Sequence, residues 1–159
     1  MIPNTCSINS KYYFAYGGNT NPNQLSKQYP SHKVVGKGTL DEFQLRCCKY
    51  TIVSDFISQV TRLECSYCNV ERCKQKEVVG IVVDLSDEDL KKMDIQECRG
   101  HIYERYEREV LVDNNPIQCW VYEMISPGET HTPSERYLRV VEIGYTHFGL
   151  PKGQLHITA

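Results

Sequence analysis

The stretch "YYFAYGGNTNPNQL", residues 12–25, decides how the rest of the chain is read. Its aromatic run has strand composition and ends abruptly at Gly17-Gly18. Within four residues a helix start follows: Asn21 as cap, Pro22 at the first helical position and Gln24 at the third. The predicted short helix runs from Leu25 to about Tyr29 and ends at Pro30. A strand, a glycine turn and a helix N-terminus together gather unpaired backbone N–H groups at one mouth, which suits an anion or a developing oxyanion. Residues without side chains let the backbone approach a ligand closely. A plain tight turn fits the same letters, and the stretch alone does not choose. It lacks the spacing of nucleotide-binding loops, having neither G-x-x-x-x-G-K-[ST] nor G-x-G-x-x-G.

Working outward, Val34 to Tyr50 alternates loosely and reads as extended, with strands on either side of "DEF". Residues 51–77 give no clear pattern. "EVVGIVVDL" (77–85) is rich in β-branched residues and reads as a strand buried on both faces. Ser86 caps the helix "SDEDLKKMD", whose early acids and later lysines suit the helix dipole. "YEREVLV" (106–112) places Tyr106, Arg108, Val110 and Val112 on one side. Asn114-Asn115-Pro116 turns it into "IQCWVYEMI", so the pair reads as a hairpin. Near the C-terminus, Thr132-Pro133-Ser134-Glu135 combines a capping box with proline at the first position. On the helix that follows, Tyr137, Val141, Gly144, Tyr145 and Phe148 share one face; Gly149 fits a left-handed cap, with Pro151 beyond it. Strands interleaved with three helices argue for an α+β fold with a mixed sheet, leaving its closure into a small barrel open.

Composition narrows the function classes. The 159 residues read as one domain, with a formal net charge of −2, 40% hydrophobic and 24% charged residues. There is no basic footprint for nucleic acid and no apolar run near the ~20 residues of a membrane helix. "MIPNTCSINSK" has neither the apolar core nor the cleavage pattern of a signal peptide, so a cytoplasmic location is expected. The eight cysteines are then expected as reduced thiols. Cys65, Cys68 and Cys73 form a C-x2-C-x4-C cluster with one close pair where zinc wants two, and the favoured reading is a cysteine-rich surface segment without metal. No G-x-S-x-G elbow, H-E-x-x-H or histidine pair at metal spacing occurs. Carboxylates and tyrosines remain. Glu97, in "KKMDIQECRG", closes a helix at a loop junction; a desolvated carboxylate there would have the raised pKa of a general base, though the pattern alone favours a solvated glutamate.

Four segments in order resemble the γ-glutamyl cyclotransferase family: "YFAYGGN" its "YFAYGSN" opening, "KMDIQEC" its "LDxxEG" stretch, and "YEREVLV…CWVYEM" and "TPSERYLRVVEIGYTHFGLP" its later strands and closing helix. The likeness spans about residues 11–48 and 78–151; segment 51–77 lies outside the family pattern. What it implies is one domain over 1–159, a small mixed β-barrel with flanking helices, and conversion of a γ-glutamyl amino acid or amine to 5-oxoproline without cofactor or metal. Glu97 would be the acid/base, Gly17, Gly18 and Asn19 would cradle the glutamyl group, and Tyr16 and Tyr137 would line the pocket. Core packing is favoured over the pocket for Tyr106, and a rim charge for Arg108. Gly18 stands where the family carries serine or threonine, and Cys98 where it carries glycine. Asn19 resembles the branch acting on γ-glutamyl amino acids. Two other readings stay open: a non-catalytic small-metabolite binding module on the same fold, and a metal or redox interaction module built on the cysteine cluster.

Overall fold

The structure, a computed structural model, describes residues 11–50 and 66–155. Six strands make one sheet: β1 (Tyr12–Ala15), β2 (Lys33–Tyr50), β3 (Ser66–Asp84), β4 (Tyr103–Val112), β5 (Asn115–Met124) and β6 (Pro127–Thr130). Their order is β3-β1-β5-β4-β2-β6, and β2 also pairs with β3. That last pairing closes five strands into a barrel, with β6 attached outside the ring along β2. Only β1–β5 is parallel, so the barrel is mixed. The fold is therefore α+β, the small mixed barrel that the resemblance implies.

The long β2–β3 pairing bends around the ring because its register breaks twice, between Val34 and Gly36 and between Asp41 and Phe43. At the second break Glu42, at φ 64°, stands alone opposite four residues of β3, Cys73 to Lys76, with Gln75 at φ 69° among them. "DEF" therefore marks a bulge within one strand, where the pattern suggested two. The β4–β5 hairpin turns at Asp113-Asn114, with φ of 51° and 65°. Asp and Asn tolerate this left-handed pair, so the turn comes one residue before the expected Asn114-Asn115-Pro116. Tyr106 is 43% exposed and so not core, whereas Val110 on the same strand is fully buried.

Three α-helices flank the barrel among the described residues: α1 (Pro22–Gln28), α2 (Asp87–Gln96) and α3 (Glu135–Phe148). Each start follows its polar cap. Asn21 accepts from the Asn23 and Gln24 N–H groups at 2.9 and 3.2 Å, and Ser86 accepts from Asp89 N–H at 3.1 Å. In α3 the cap is Ser134, accepting from Tyr137 N–H at 3.2 Å. The helix thus begins two residues later than the Thr132-Pro133 reading, because the Ser134 hydroxyl takes the orphan N–H. Gly149 ends it at φ 68°, as its sequence position suggests.

Between β1 and α1 lies a 3₁₀ turn, Gly18–Thr20, and α3 sits directly on it. A Cβ on Gly144 would fall 2.2 Å from Thr20 Oγ1 and 2.6 Å from Thr20 O, so only glycine allows this approach. The contact is locked from both sides. Tyr145 Oη donates to Tyr16 O at 2.7 Å, and Asn21 Nδ2 donates to Val140 O at 3.0 Å. Gly144→Ala is expected to destabilise the fold by roughly 1–3 kcal/mol, the usual cost of forcing an extra methyl group into a packed site. Chemical denaturation of the variant against wild type measures it.

Candidate active site

At one end of the barrel, a cavity of about 780 Å³ opens between the 3₁₀ turn, the start of β3, the C-terminus of α2 and the N-terminal turn of α3. All six residues expected at the site, Tyr16, Gly17, Gly18, Asn19, Glu97 and Tyr137, line it. Tyr106 does not line it. Arg108 pairs with Glu123 at 2.8 Å and lies over the Tyr106 and Phe43 rings, which is the expected rim charge.

Glu97 arrives through the way α2 stops. Cys98 takes φ 50°, its N–H reaches Ile95 O at 3.1 Å, and the Arg99 N–H reaches Asp94 O at 2.9 Å. This is a Schellman ending with cysteine at the position glycine favours. The left-handed turn survives the replacement at about 1–2 kcal/mol of backbone cost. Glu97, as the cap residue, is carried to the cavity wall.

Two carboxylates on α2, three residues apart, are pushed in opposite directions. Asp94 is held below its ordinary value: burial opposes ionisation, but Arg105 Nε at 2.8 Å and Tyr122 Oη at 2.6 Å both donate to it. Glu97 has no such partner among the described residues, and burial raises it from 4.5 to about 7. Its residue surface is only half-buried, because the side chain borders the cavity while protein surrounds it on every other side. Paired carboxyl groups driven apart in this way are the usual signature of an acid/base assignment.

The tyrosines around Glu97 stay protonated. Burial raises Tyr13, Tyr16 and Tyr103 well above the ordinary phenol value, and the Glu97 charge adds to all three. Tyr16 Oη donates to Tyr122 O at 2.7 Å and Tyr103 Oη to Cys68 O at 2.9 Å. Tyr13 Oη accepts from Asn19 Nδ2 at 3.2 Å, which positions the Asn19 side chain. Gly17 is required by Tyr137: a Cβ there would stand 3.0 Å from Tyr137 Oη and 3.2 Å from Cys68 Cβ. At Gly18 a Cβ would meet Tyr137 Cε1 at 3.5 Å, ordinary contact distance. A serine of the family type would therefore fit there. Gly18 and Asn19 open the 3₁₀ turn, where no earlier carbonyl of the turn accepts their N–H groups.

Tyr13, Tyr103, Tyr122 and Cys68 also line the cavity and escaped the sequence reading. Tyr13 belongs to the same aromatic run as Tyr16 and was within reach of it. The others arrive from β3, β4 and β5, and only closure of the barrel places them together. The cysteine segment changes character as well. Residues 66–77 form the first part of β3, and Cys68 is 2% exposed, a buried wall residue where a surface segment was expected. Cys73 is half-buried, and Cys65 lies outside the described residues. No group of three or more metal-ligating side chains occurs among the described residues, and no described helix is long and apolar enough to cross a membrane.

The Glu97 shift has a consequence for stability. Folded Glu97 binds its proton more tightly than the unfolded chain, so stability falls as pH rises from about 4.5 to about 7 and is level above that. Glu97→Gln is therefore expected to be more stable than wild type at pH 8, by roughly 1–3 kcal/mol with water in the cavity allowed for. The gain should vanish by pH 4, where wild-type Glu97 is protonated in both states. Denaturant midpoints of both proteins at the two pH values test this.

Comparison with known proteins agrees with this architecture. A solved structure named gamma-glutamyl cyclotransferase superposes with a TM-score of 0.79 at 22% identity, covering 92% of this chain and 87% of that one. An uncharacterized Homo sapiens protein, loc79017, gives 0.76 at 24% identity over 92% and 87%. YkqA from Bacillus subtilis gives 0.74 at 16% identity, over 95% of this chain and 54% of that one. At these identities the likeness is one of fold. Curated protein sequences give no match. The profile of one family matches residues 13–139, from β1 into the first turn of α3. On that match, the chain belongs to the gamma-glutamyl cyclotransferase, AIG2-like family.

Proposed function

We propose that the protein converts a γ-glutamyl amino acid or amine to 5-oxoproline and the free amino acid or amine, with Glu97 as general acid/base. The observation that carries this reading is a carboxyl group with no ion-pair partner among the described residues, raised by burial to about 7, in the cavity that the Gly17–Asn19 turn also lines. A pKa near neutrality is what a group needs to take a proton and return it at similar cost.

The reaction is intramolecular. Glu97 as carboxylate takes a proton from the substrate α-ammonium, and the freed amine attacks the γ-carbonyl carbon. A C–N bond forms, and negative charge collects on the carbonyl oxygen. The N–H groups of Gly18 and Asn19 are the donors assigned to the anionic glutamyl group. Protonated Glu97 then gives its proton to the departing nitrogen and the old C–N bond breaks. The second proton left on the ring nitrogen passes to the freed amine, so 5-oxoproline leaves as a neutral lactam and the amine as its ammonium. Atoms and charge balance without a cofactor. Holding the tethered amine against the carbonyl can supply roughly 7–11 kcal/mol of the barrier, so positioning carries most of the rate. The tyrosine walls of Tyr13, Tyr16, Tyr103 and Tyr137 do the positioning.

Mass spectrometry of 5-oxoproline tests the reading, with γ-glutamyl-alanine, glutathione, γ-glutamyl-ε-lysine and a γ-glutamylated amine as substrates. Wild type is expected to turn over at least one of them, and Glu97→Gln to lose about 10²–10⁴-fold. The wild-type rate should rise with pH through an apparent pKa near the value of about 7 given by burial. Absence of product from every substrate would leave a binding module; product that survives in Glu97→Gln would remove Glu97 from the chemistry. A paired substitution tests the cradle. Gly17→Ala should lower kcat/KM by about 10–10² by displacing Tyr137, while Gly18→Ala should stay near wild type. Equal losses at the two positions would mean that the turn is not seated against Tyr137 when substrate is bound.

A further inference from the structure

Cys47 and Cys68 take no part in the chemistry above, yet they are placed with unusual economy. They are direct partners across the β2–β3 pairing, with Sγ atoms 3.3 Å apart. Both are buried, at 0% and 2% exposure. A disulfide needs sulfurs at about 2.05 Å, so a further approach of roughly 1.3 Å would join them. Cys68 lines the cavity and Cys47 does not, so a small reagent entering the cavity meets Cys68 first. The Cys68 backbone is held on both sides. Its N–H donates to Tyr137 Oη at 3.2 Å, and its carbonyl accepts from Tyr103 Oη at 2.9 Å. Joining the sulfurs therefore calls on the side chains, not on this backbone. The remaining described cysteines are turned to other neighbours or lie elsewhere: Cys48 Sγ, for example, contacts Met124 Sδ at 3.5 Å.

We propose that Cys68 and Cys47 are a reversible dithiol–disulfide couple built into the pocket wall and oxidised through the cavity by hydrogen peroxide. The roles divide by environment. The hydrogen bond from Cys47, and after it one from Tyr137, holds the Cys68 thiol below its ordinary value against the effect of burial, whereas the same Cys68 contact and burial raise Cys47. Cys68, the thiol that the cavity reaches, is the attacking sulfur and Cys47, behind it, the resolving thiol. In the first step, Cys68 sulfur attacks a peroxide oxygen, the O–O bond breaks, and water leaves to give the sulfenic acid. In the second, Cys47 sulfur attacks Cys68 sulfur, the S–S bond forms, the S–O bond breaks and a second water leaves. Two thiols and one peroxide become one disulfide and two waters, and a dithiol reductant reverses it.

Closing the bond draws the Cys68 sulfur toward Cys47, and that sulfur borders Gly17, where an added Cβ would stand 3.6 Å from it. The wall beside Tyr137 and Gly17 is then reshaped. A consequence for turnover rests on the function proposed above; the thiol chemistry does not.

The full-length protein, treated with hydrogen peroxide and then alkylated and digested, is mapped by mass spectrometry. A Cys47–Cys68 cross-linked peptide, lost on treatment with dithiothreitol, is the expected result. Cys47→Ser should leave Cys68 as a sulfenic acid trapped by dimedone, and Cys68→Ser should leave Cys47 unmodified. Far-UV circular dichroism of both serine variants confirms that the barrel is retained. Cys68 joined to Cys65 or Cys73, or unreactive toward peroxide in the native protein, would overturn the couple. On the function proposed above, 5-oxoproline release by the oxidised protein should fall about 10²-fold, the scale of a ~1 Å misplacement, and recover with dithiothreitol. Unchanged turnover in a fully cross-linked sample would overturn the link to activity. A reduced protein that makes no 5-oxoproline counts against the function alone, because the peptide map still decides the couple.

Discussion

The backbone-to-backbone seat of α3 on the 3₁₀ turn controls the geometry of the cavity. With glycine at position 144, the helix comes so close to Thr20 that a single methyl group would overlap its hydroxyl oxygen and carbonyl. This approach does two things at once. It aims the first turn of α3, and with it Tyr137, at the glycine pair. It also brings Tyr145 within 2.7 Å of the Tyr16 carbonyl, which fixes where β1 ends. Gln154 extends the same lattice: its side chain exchanges hydrogen bonds with both backbone groups of Val79 and donates to Tyr145 Oη at 2.8 Å. Gln154, α3 and the end of β1 are thus tied together by hydrogen bonds.

Within that frame the electrostatics are a matter of what has been left out. α2 carries Asp94 into a cluster with Arg99, Arg105 and Tyr122, where its charge is fully compensated. One turn on, Glu97 faces a cavity to which Tyr13, Tyr16 and Tyr103 contribute neutral phenols, and burial alone raises it. Any cation placed beside it would pull its pKa back down and fix it as a spectator carboxylate. The cost of holding it there is borne by the barrel, whose buried aliphatic and aromatic residues supply the stability that the site withholds.

The family's serine-to-glycine and glycine-to-cysteine departures prove local. Gly18 still has room for a side chain, so its loss removes a hydroxyl without reshaping the turn. Cys98 keeps the left-handed helix ending in spite of its Cβ, because the two carbonyls of the ending remain paired. The cysteines of β2 and β3 are a different matter, since Cys47 and Cys68 owe their apposition to the register of the barrel's longest strand pairing.

Much was legible in the sequence because it is encoded in near neighbours. Asn21-Pro22, Ser86 and Gly149 mark helix ends through bonds within one turn, and residues 78–83 announce burial by composition alone. Gly17 and Gly18 are legible as a possible ligand turn for the same reason, whereas Glu97, whose local pattern favours a solvated glutamate, and Asn19 enter as site residues through the family resemblance. Where two local solutions compete, the letters mislead by a residue or two, as at Ser134 and Asp113. What no local pattern carries is who meets whom. Tyr103, Tyr122 and Cys68 belong to three different strands, and "CSYCNVERC" has no strand-like alternation to declare that Cys68 will be interior. Closure of β2 onto β3 decides that, because hydrogen-bond register between distant segments is set by the whole ring. The sequence by itself determined the elements, their caps and the residues at their ends. Tertiary structure alone decided that a carboxyl group would be buried beside phenols without an ion-pair partner among the described residues, and that two thiols would face each other in the same wall.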